Sequence, residues 1–417
     1  MKGVSGSRER FFVLFCRMMK NILEILLKSK NGNDEKLAIV SHFLHNQNFS
    51  SVEPYYHQAL EILGIQKKLG ASVKEMDSFY QGDLLGAFFD VPFPPPKDVK
   101  FTFIDLFAGI GGFRIALQNL GGRCVFSSEW DKQAQKTYFS NYGEMPFGDI
   151  TKEEVKQFIP DNFDILCAGF PCQAFSIAGQ QRGFEDTRGT LFFDVAEIIK
   201  RRHPKVVFLE NVSNLLAHDK GNTFKVILST LQSLGYDVHY KVLNALDYGV
   251  LQNRRRIIIV GFIKKTNFVF PSAIKLKTTL SDILEENVAS KYFVSDAIRE
   301  SRLQRLKDKN FPRPYISHEN MAGSITPHHY SSALRAGASA NYILINDARR
   351  PTEREMLRIQ GFPEQFKVVV PYSVLKKQCG NSVAIPMIAA VAEKIVVSFK
   401  NLKYRKKYET SKAKRFQ

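Results

Sequence analysis

The sequence predicts an α/β protein with a mostly parallel sheet and helices on both faces of that sheet. From residue 101 onward, short apolar runs alternate with longer segments of helical periodicity, and glycine-bearing turns separate them. Regular alternation of this kind is typical of doubly wound α/β domains. In such sheets ligands bind beyond the carboxyl ends of the strands. The candidate functional residues lie at these ends: residues 107–112, Glu129, Cys172 and Glu210.

The individual elements follow from these apolar runs. The predicted strands are residues 101–107, 124–129, 163–168, 205–210, 237–243 and 256–263. The predicted helices that connect them are residues 113–120, 132–142, 191–201 and 223–234. Helical patterning returns at residues 298–307, 352–360 and 383–399.

The chain divides into four parts. Residues 1–97 form an accessory helical region, with helices expected at 35–45 and 53–68 and a stiff proline-rich linker at 91–96. Residues 98–263 form the main α/β domain, and residues 264–348 break its rhythm as an irregular second domain. Residues 349–417 return to the main domain and end in a basic tail. A helical cap and a DNA-binding helix-turn-helix both stay open for the accessory region.

The charge balance points to a polyanionic partner. The chain has 59 Lys and Arg against 41 Asp and Glu, a formal net charge of +18 and a pI near 9.5. An excess of this size favours nucleic acid, although a merely basic soluble protein has the same composition. The tail from Lys400 adds a local run of basic residues that suits nonspecific phosphate contacts.

The cysteines and the hydropathy of the chain indicate the cellular compartment in which the protein is expected. The five cysteines are scattered and odd in number, and their spacing resembles neither a zinc site nor a disulfide framework. We therefore expect no metal and a reducing, cytoplasmic environment. No apolar run looks long enough to span a bilayer, so no membrane partner is expected.

Cys172 occupies a position that suits an exposed nucleophile. It follows the predicted buried strand at 163–168, is preceded by Pro171, and opens onto a polar, glycine-bearing loop at 176–189. Most free cysteines are instead small buried hydrophobes. Because reactivity needs exposure and a lowered pKa, position alone leaves both interpretations open.

Residues 105–112 read Asp-Leu-Phe-Ala-Gly-Ile-Gly-Gly, a glycine turn between a strand and a helix. Glycines there let a ligand approach the backbone beside the positive helix end. Gly109 and Gly111 fit a dinucleotide fingerprint, but Arg114 stands at its third glycine, which disfavours nicotinamide or flavin. Glu129 suits ribose hydroxyls, and Trp130 could cover an adenine face. A glycine turn with ordinary core packing is the alternative.

Taken together, these motifs closely resemble the DNA (cytosine-5) methyltransferases of the bacterial restriction–modification type. The resemblance covers most of residues 101–263 and 349–390, and its motifs occur in the order found in the family. They are Asp105-x-Phe107-x-Gly109-x-Gly111-Gly112, Glu129-Trp130, Gly148-Asp149-Ile150, Phe170-Pro171-Cys172-Gln173, Glu210-Asn211-Val212, Gln252-x-Arg254-x-Arg256, the run from Arg350 to Pro363, and Gly380-Asn381-Ser382-Val383.

The resemblance implies a fold and a cofactor. The fold is the doubly wound sheet of S-adenosylmethionine-dependent methyltransferases, with a smaller irregular target-recognition domain at 264–348 and an N-terminal helical extension. The cofactor is S-adenosyl-L-methionine, with no metal. Its implied binding residues are Phe107, Gly109, Gly111, Gly112, Glu129, Trp130, Asp149, Ile150 and Asn381.

The resemblance also implies catalytic roles. Cys172 would add to C6 of cytosine, so that C5 becomes nucleophilic enough to accept a methyl group. Glu210 would engage N3 and the exocyclic amine, and would carry a proton when it acts. Arg254 and Arg256 alternate along a predicted strand, which places both side chains on one face. In the family these arginines hold the cytosine carbonyl and the catalytic carboxylate.

DNA contacts are assigned less sharply. The base must be flipped out to reach a cysteine, and the loop at 176–189 would clamp the duplex. Gln173, Arg182 and Arg188 are the predicted DNA-binding residues. Ala178 stands where many relatives have serine, which affects one loop contact. Candidate base readers in the recognition region, each with a structural alternative, are Arg313, His318, Asn320, His328, His329 and Arg335.

The predicted function is transfer of a methyl group from S-adenosylmethionine to C5 of a flipped cytosine in a short duplex DNA site. The expected partners are double-stranded DNA and a cognate restriction endonuclease, and the expected state is a monomer in the bacterial cytoplasm, associated with the nucleoid through DNA. Two alternatives stay open: the same chemistry on tRNA, and a catalytically silent DNA-binding regulator.

Overall fold

The computed structural model describes residues 34–46, 49–64, 91–171, 191–274 and 277–413. Its strands are β1 Phe101–Leu106, β2 Gly122–Ser128, β3 Ile165–Ala168, β4 Val206–Val212, β5 Asp237–Asn244, β6 Gln252–Asn253, β7 Arg255–Phe262, β8 Ile316–Glu319, β9 Ile325–His328, β10 Ser331–Ser332 and β11 Ile343–Ile345. Its helices are α1 Asp34–His45, α2 Phe49–Val52, α3 Tyr56–Ile62, α4 Gly112–Gln118, α5 Lys132–Tyr142, α6 Glu153–Lys156, α7 Leu191–Arg202, α8 Asn222–Ser233, α9 Leu280–Ile283, α10 Asp296–Arg305, α11 Glu353–Gln360, α12 Tyr372–Asn381 and α13 Ile385–Ala413.

The central sheet has the strand order β2-β1-β3-β4-β7-β5. β2, β1, β3 and β4 pair in parallel, whereas β7 runs antiparallel to both β4 and β5. β3 is buried along its whole length because helices cover both faces of the sheet. The predicted α/β class and its mostly parallel sheet are therefore confirmed, and they bring the carboxyl ends of β1 to β4 to one edge.

The helices that connect these strands lie close to their predicted positions. α5 begins and ends where the sequence predicts, because Asp131 caps its first turn by accepting from the backbone N–H groups of Gln133 and Ala134. The helix predicted at 53–68 is confirmed over Tyr56–Ile62, which is α3, and is wrong at its start. Residues Glu53–Tyr55 form a 3₁₀ turn between α2 and α3, since Pro54 cannot donate a helical hydrogen bond.

The region 264–348 is more regular than the sequence indicates. β8 pairs antiparallel with both β9 and β11 to form a three-stranded sheet. Arg302 from α10 lies beneath this sheet, only 1% exposed, and donates to Asp347 Oδ1, Ser317 Oγ and the Asn341 carbonyl. A fully bonded buried cation of this kind organises a small domain that has little apolar core of its own.

The C-terminal helices return to the main domain. α13 packs against α4, directly after the glycine turn. By length and composition Tyr372–Phe399 could cross a membrane, and 61% of that apolar window is buried inside the protein. The expectation that no apolar run reaches this length is therefore wrong. Core positions such as Ile388, Val391 and Ile395, each fully buried, account for the apolarity.

Candidate active site

A carboxylate and a guanidinium meet at the carboxyl end of β4. Glu210 is 8% exposed, and Arg256 Nε from β7 lies 2.8 Å from its Oε1. This contact is an ion pair without hydrogen-bond geometry, because Oε1 has no hydrogen-bond donor aligned with it. A Cβ added to Gly169, just beyond β3, would lie 3.7 Å from Glu210 Oε2. Glu210 therefore lies beside the chain that leads out of β3.

Asn211 fixes the path of that chain. Its Nδ2 donates to the Phe170 carbonyl at 2.9 Å, and its Oδ1 accepts from Val212 N at 2.8 Å. Phe170 is buried and Pro171 is exposed, so the chain emerges at the strand-end edge. The sequence motif contains Asn211 without indicating this anchor. Cys172, Gln173, Arg182 and Arg188 lie outside the described residues.

The other cysteines within the described residues cannot supply a thiolate. Cys124, Cys167 and Cys379 are each at most 2% exposed. Burial raises the pKa of all three thiols above the usual value. Since the thiolate is the nucleophilic form, these residues are inert packing groups.

Arg254 makes backbone contacts that the sequence does not indicate. It lies between β6 and β7, is 2% exposed, and donates to the backbone carbonyls of Leu334, Gly380 and Ser382 at 2.9, 3.0 and 2.6 Å. Burial lowers its pKa, but these three acceptors favour the charged form. Its charge also interacts with the charges of Arg256 and Glu210, so the placement of Arg254 and Arg256 on one face beside the catalytic carboxylate stays a prediction.

Gly380, whose carbonyl accepts from Arg254, also lies very close to residues 335–336. A Cβ added to Gly380 would lie 2.3 Å from Ala336 N and 2.7 Å from the Arg335 carbonyl carbon. A few residues before Arg335, β10 (Ser331–Ser332) pairs with β6, which directly precedes Arg254. The end of the recognition region is thus held directly against the helix that carries Asn381.

An Arg254→Met variant is expected to lose on the order of 3 kcal/mol of unfolding free energy, because buried carbonyls lose their donor. The matched control is Arg255→Met, since Arg255 is exposed and its replacement should change stability by less than about 0.5 kcal/mol. Urea unfolding followed by circular dichroism measures both. Equal stability of the two variants, with kcat lost only in Arg254→Met, would instead indicate a catalytic role.

The glycine turn contains two glycines in close contact with other residues and one glycine beside open space. A Cβ on Gly111 would lie 2.4 Å from the Tyr142 ring, and a Cβ on Gly112 would lie 2.7 Å from Val383 Cγ2. Gly109 has φ +56° and open space around its missing side chain. Phe107, half-buried, also has a positive φ of 56°. Gly111 and Gly112 therefore permit close packing, and Gly109 leaves room for a ligand.

Glu129 ties this turn to the next helix. Its Oε2 accepts from Gly109 N and its Oε1 from Asp131 N, both at 2.8 Å. The side chain is 8% exposed, and burial raises its pKa. A carboxylate that holds two backbone N–H groups keeps further lone pairs for ligand hydroxyls. The adjacent Trp130 is 73% exposed and offers a free ring face.

The other predicted cofactor residues surround the same edge. Asp149 Oδ1 accepts from Thr151 N at 3.0 Å and from Thr151 Oγ1 at 2.9 Å. Ile150 is buried, and Asn381 is exposed at the end of α12. Ser382 Oγ, next to Asn381, would lie 3.1 Å from a Cβ on Gly112. The structure thus brings Asn381 to the glycine turn.

Several candidate base readers make contacts within the protein. The rings of His328 and Tyr330 stack at 4.7 Å, and His329 Nδ1 lies 3.0 Å from the Pro314 carbonyl. Asn320 Oδ1 accepts from Ser324 N and holds the β8–β9 turn, while Arg335 lies over the Tyr342 ring. His318 is half-buried against Tyr342. These contacts favour a structural interpretation, and base reading by these residues and Arg313 stays a prediction.

The fold and the site together define an α/β methyltransferase with an acid–guanidinium pair beside the cofactor edge. Residues 101–397 match the family model described as C-5 cytosine-specific DNA methylase. The chain belongs to this family and is a DNA cytosine-5-methyltransferase.

Named relatives agree with this assignment. The chain is 53% identical over 292 residues to the Type II methyltransferase M.NgoBI of Neisseria gonorrhoeae, covering 70% of this chain and 91% of the relative. It is 51% identical over 312 residues to the Type II methyltransferase M.HaeII of Haemophilus aegyptius, covering 74% and 97%. The solved S. pombe Dnmt2 methyltransferase shares the fold, with a TM-score of 0.54, 18% identity, and coverage of 73% and 99%.

Proposed function

We propose that the protein methylates C5 of a flipped cytosine within a short duplex DNA sequence, as the modification enzyme of a restriction–modification system. The observation that carries this proposal is the Glu210–Arg256 pair beside Gly169, at 2.8 Å. It supports a polar base pocket two strands away from the glycine turn, with the chain leading to Cys172 along its rim. The Type II relatives support the restriction–modification context.

Family membership implies S-adenosylmethionine as the methyl donor, and the residues at the strand ends fit it. Gly109 leaves open space, Glu129 retains acceptor capacity for ribose hydroxyls, and the exposed Trp130 ring can cover an adenine. Asp149, Ile150 and Phe107 would complete the adenine side, and Asn381 with Gly111 and Gly112 would lie toward the methionine end. When bound, this cofactor supplies an electrophilic methyl group on a sulfonium.

The chemistry starts at Cys172. Its thiolate adds to C6 of the cytosine and forms a C6–S bond, while Glu210 gives a proton to N3 so that the ring becomes an enamine. C5 would then take the methyl group as the carbon–sulfur bond of the sulfonium breaks and a neutral thioether leaves. Transfer of the C5 proton to a water molecule and cleavage of the C6–S bond release the thiolate, and N3 returns its proton to Glu210, which restores the aromatic ring. The base must leave the duplex stack for these steps.

Arg256 would orient the acid in this sequence. Its Nε contacts Glu210 Oε1, and both side chains are largely buried, at 14% and 10% exposure. A desolvated guanidinium beside the carboxyl group fixes the rotamer that faces the base. Arg256 Nη1 donates to the Arg255 carbonyl at 2.8 Å, and Nη2 would be the donor for the cytosine carbonyl.

The remaining assignments concern DNA and partners. Residues 264–348 would read the sequence from the major groove, and Gln173, Arg182 and Arg188 would contact DNA near the flipped base. The net charge of +18 supports association with duplex DNA. A monomer in the bacterial cytoplasm, with a cognate endonuclease of the same specificity, completes the proposal.

Incubation with labelled S-adenosylmethionine and either plasmid or tRNA tests this function. We expect label in plasmid DNA alone, with 5-methylcytosine at one recurring short site in bisulfite sequencing of plasmid from expressing cells. Label confined to tRNA would contradict the duplex substrate. DNA binding without any labelled product would instead indicate a catalytically silent regulator.

A further inference from the structure

Helix α1 covers the end of β2 from a part of the chain that precedes the family match at residue 101. Its residues from Leu37 to His45 are all buried, so it is docked along its length. The family motifs assign it no role. Its polar contacts reach the two segments that carry Glu129 and the Asp149-Ile150 pair.

The first contact is made by His42 at the end of β2. Ser127 N donates to His42 Nε2 at 3.2 Å, and His42 Nδ1 lies 2.9 Å from the Ala38 carbonyl. Since Nδ1 donates to that carbonyl, Nε2 of the neutral ring is the acceptor for Ser127. Ser127 lies two residues before Glu129.

The second group of contacts holds residues 142–147. Ser41 Oγ accepts from Met145 N at 3.0 Å, and His45 Nε2 lies 2.9 Å from the Tyr142 carbonyl. The rings of His42 and Phe147 lie 4.6 Å apart. Phe147 N donates to Ser127 O, and its own carbonyl accepts from Glu129 N, both at 2.8 Å. His42 therefore touches both sides of the backbone ladder that places Glu129.

A carboxylate beside His42 does not disturb this arrangement. Glu144 Oε1 lies 3.2 Å from His42 Nε2, but it already accepts from Arg114 Nη1 at 2.5 Å and from Ser127 Oγ at 3.1 Å. The Arg114 guanidinium holds the pKa of Glu144 at about 2. Burial lowers the pKa of His42, which keeps its ring neutral.

We propose that His42 is a positioning residue of the cofactor site, and that α1 supports the backbone that carries this site rather than forming an independent accessory unit. His42 holds Ser127 and Phe147, and through their ladder it fixes Glu129 against Gly109. This inference rests on the proposed placement of S-adenosylmethionine at Glu129.

The test compares His42→Asn with His42→Gln in the full-length protein. The asparagine amide reaches only the position of ring Nδ1, so Ser127 N loses its acceptor. The glutamine amide reaches the position of Nε2 and can accept from it. We expect His42→Asn to raise the Kd for S-adenosylmethionine about tenfold, with the Kd for DNA within about twofold. His42→Gln should restore cofactor affinity to within about threefold of wild type.

Two further variants complete the design. Ser41→Ala removes the acceptor of Met145 N and should raise the Kd for the cofactor by about threefold. This variant still tests the role of α1 if His42→Asn does not fold. The matched control is Asp34→Ala, which removes an exposed ion pair between α1 and Lys132 and should leave both dissociation constants unchanged.

Calorimetric titration of folded protein, with circular dichroism to confirm folding, gives these values. Wild-type cofactor affinity in both His42→Asn and Ser41→Ala would overturn the inference, as would parallel losses of cofactor and DNA affinity. Failure of the wild-type enzyme to bind S-adenosylmethionine would overturn the cofactor assignment and this inference with it.

Discussion

A Cys172→Ala variant is expected to lose methyl transfer to below about one ten-thousandth of the wild-type rate, because no other group replaces the nucleophile. It should also form no covalent adduct on duplex DNA that contains 5-fluorocytosine. With fluorine at C5, the final elimination cannot occur, so an adduct formed by the wild-type enzyme persists. Denaturing gel electrophoresis with labelled DNA measures this adduct directly.

The matched control is Cys167→Ala, which replaces a thiol five residues earlier that is fully buried in β3. Its burial raises the pKa of the thiol, so we expect the Cys167 variant to retain adduct formation and turnover. An adduct formed by Cys172→Ala would remove Cys172 as the nucleophile. Loss of the adduct in both variants would point to a folding defect around β3.

A Glu210→Gln variant is expected to lose about two to four decades of kcat, the usual range for an acid–base group. Glutamine keeps the size of the side chain and its capacity for hydrogen bonds, but it cannot give a proton to cytosine N3. Binding of DNA and S-adenosylmethionine should stay within a few-fold of wild type, because Glu210 contacts neither DNA backbone nor cofactor in the proposed complex. Single-turnover methylation separates this chemical step from product release.

Glu129→Gln is the matched control for Glu210→Gln, since both are strand-end carboxylates at 8% exposure. Glu129 holds Gly109 N and Asp131 N, so its replacement should weaken cofactor binding and leave kcat at saturating cofactor nearly unchanged. Wild-type turnover in Glu210→Gln would exclude Glu210 as the acid. Loss of kcat in both variants to the same extent would contradict the division of roles.

The features that could be predicted from the sequence are those set by local chemistry. The bounds predicted for α5 agree with the structure, in which Asp131 caps the first turn of this helix. Strand ends placed Glu129 and Glu210 at one edge, since parallel strands share the direction of their carboxyl ends. The helix predicted at 53–68 is correct over Tyr56–Ile62 but begins too early, because Glu53–Tyr55 form a 3₁₀ turn.

The features that the sequence did not reveal depend on distant partners. Arg254 binds carbonyls 80 to 128 positions away in the chain, and His42 meets Ser127 across 85 positions. An alternating pattern predicts which face a side chain occupies, but the backbone atoms opposite that face come from other elements. The contact of Asn211 is also distant in sequence, because its acceptor, the Phe170 carbonyl, lies just beyond the end of the neighbouring strand β3. A single chain without its fold carries no local signal of these pairings.

The close approach of residues 335–336 to Gly380 limits how DNA specificity can be exchanged within this family. A segment from a relative that ends before Ser331 leaves the β10–β6 pairing, the Arg254 bonds and the Gly380 contact as a native unit. A segment that ends within 331–336 replaces only one half of that unit. Chimeric enzymes joined before Ser331 should therefore keep this unit, but they should fold only if the incoming segment still supplies a partner strand for β11 and a buried cation for Asp347.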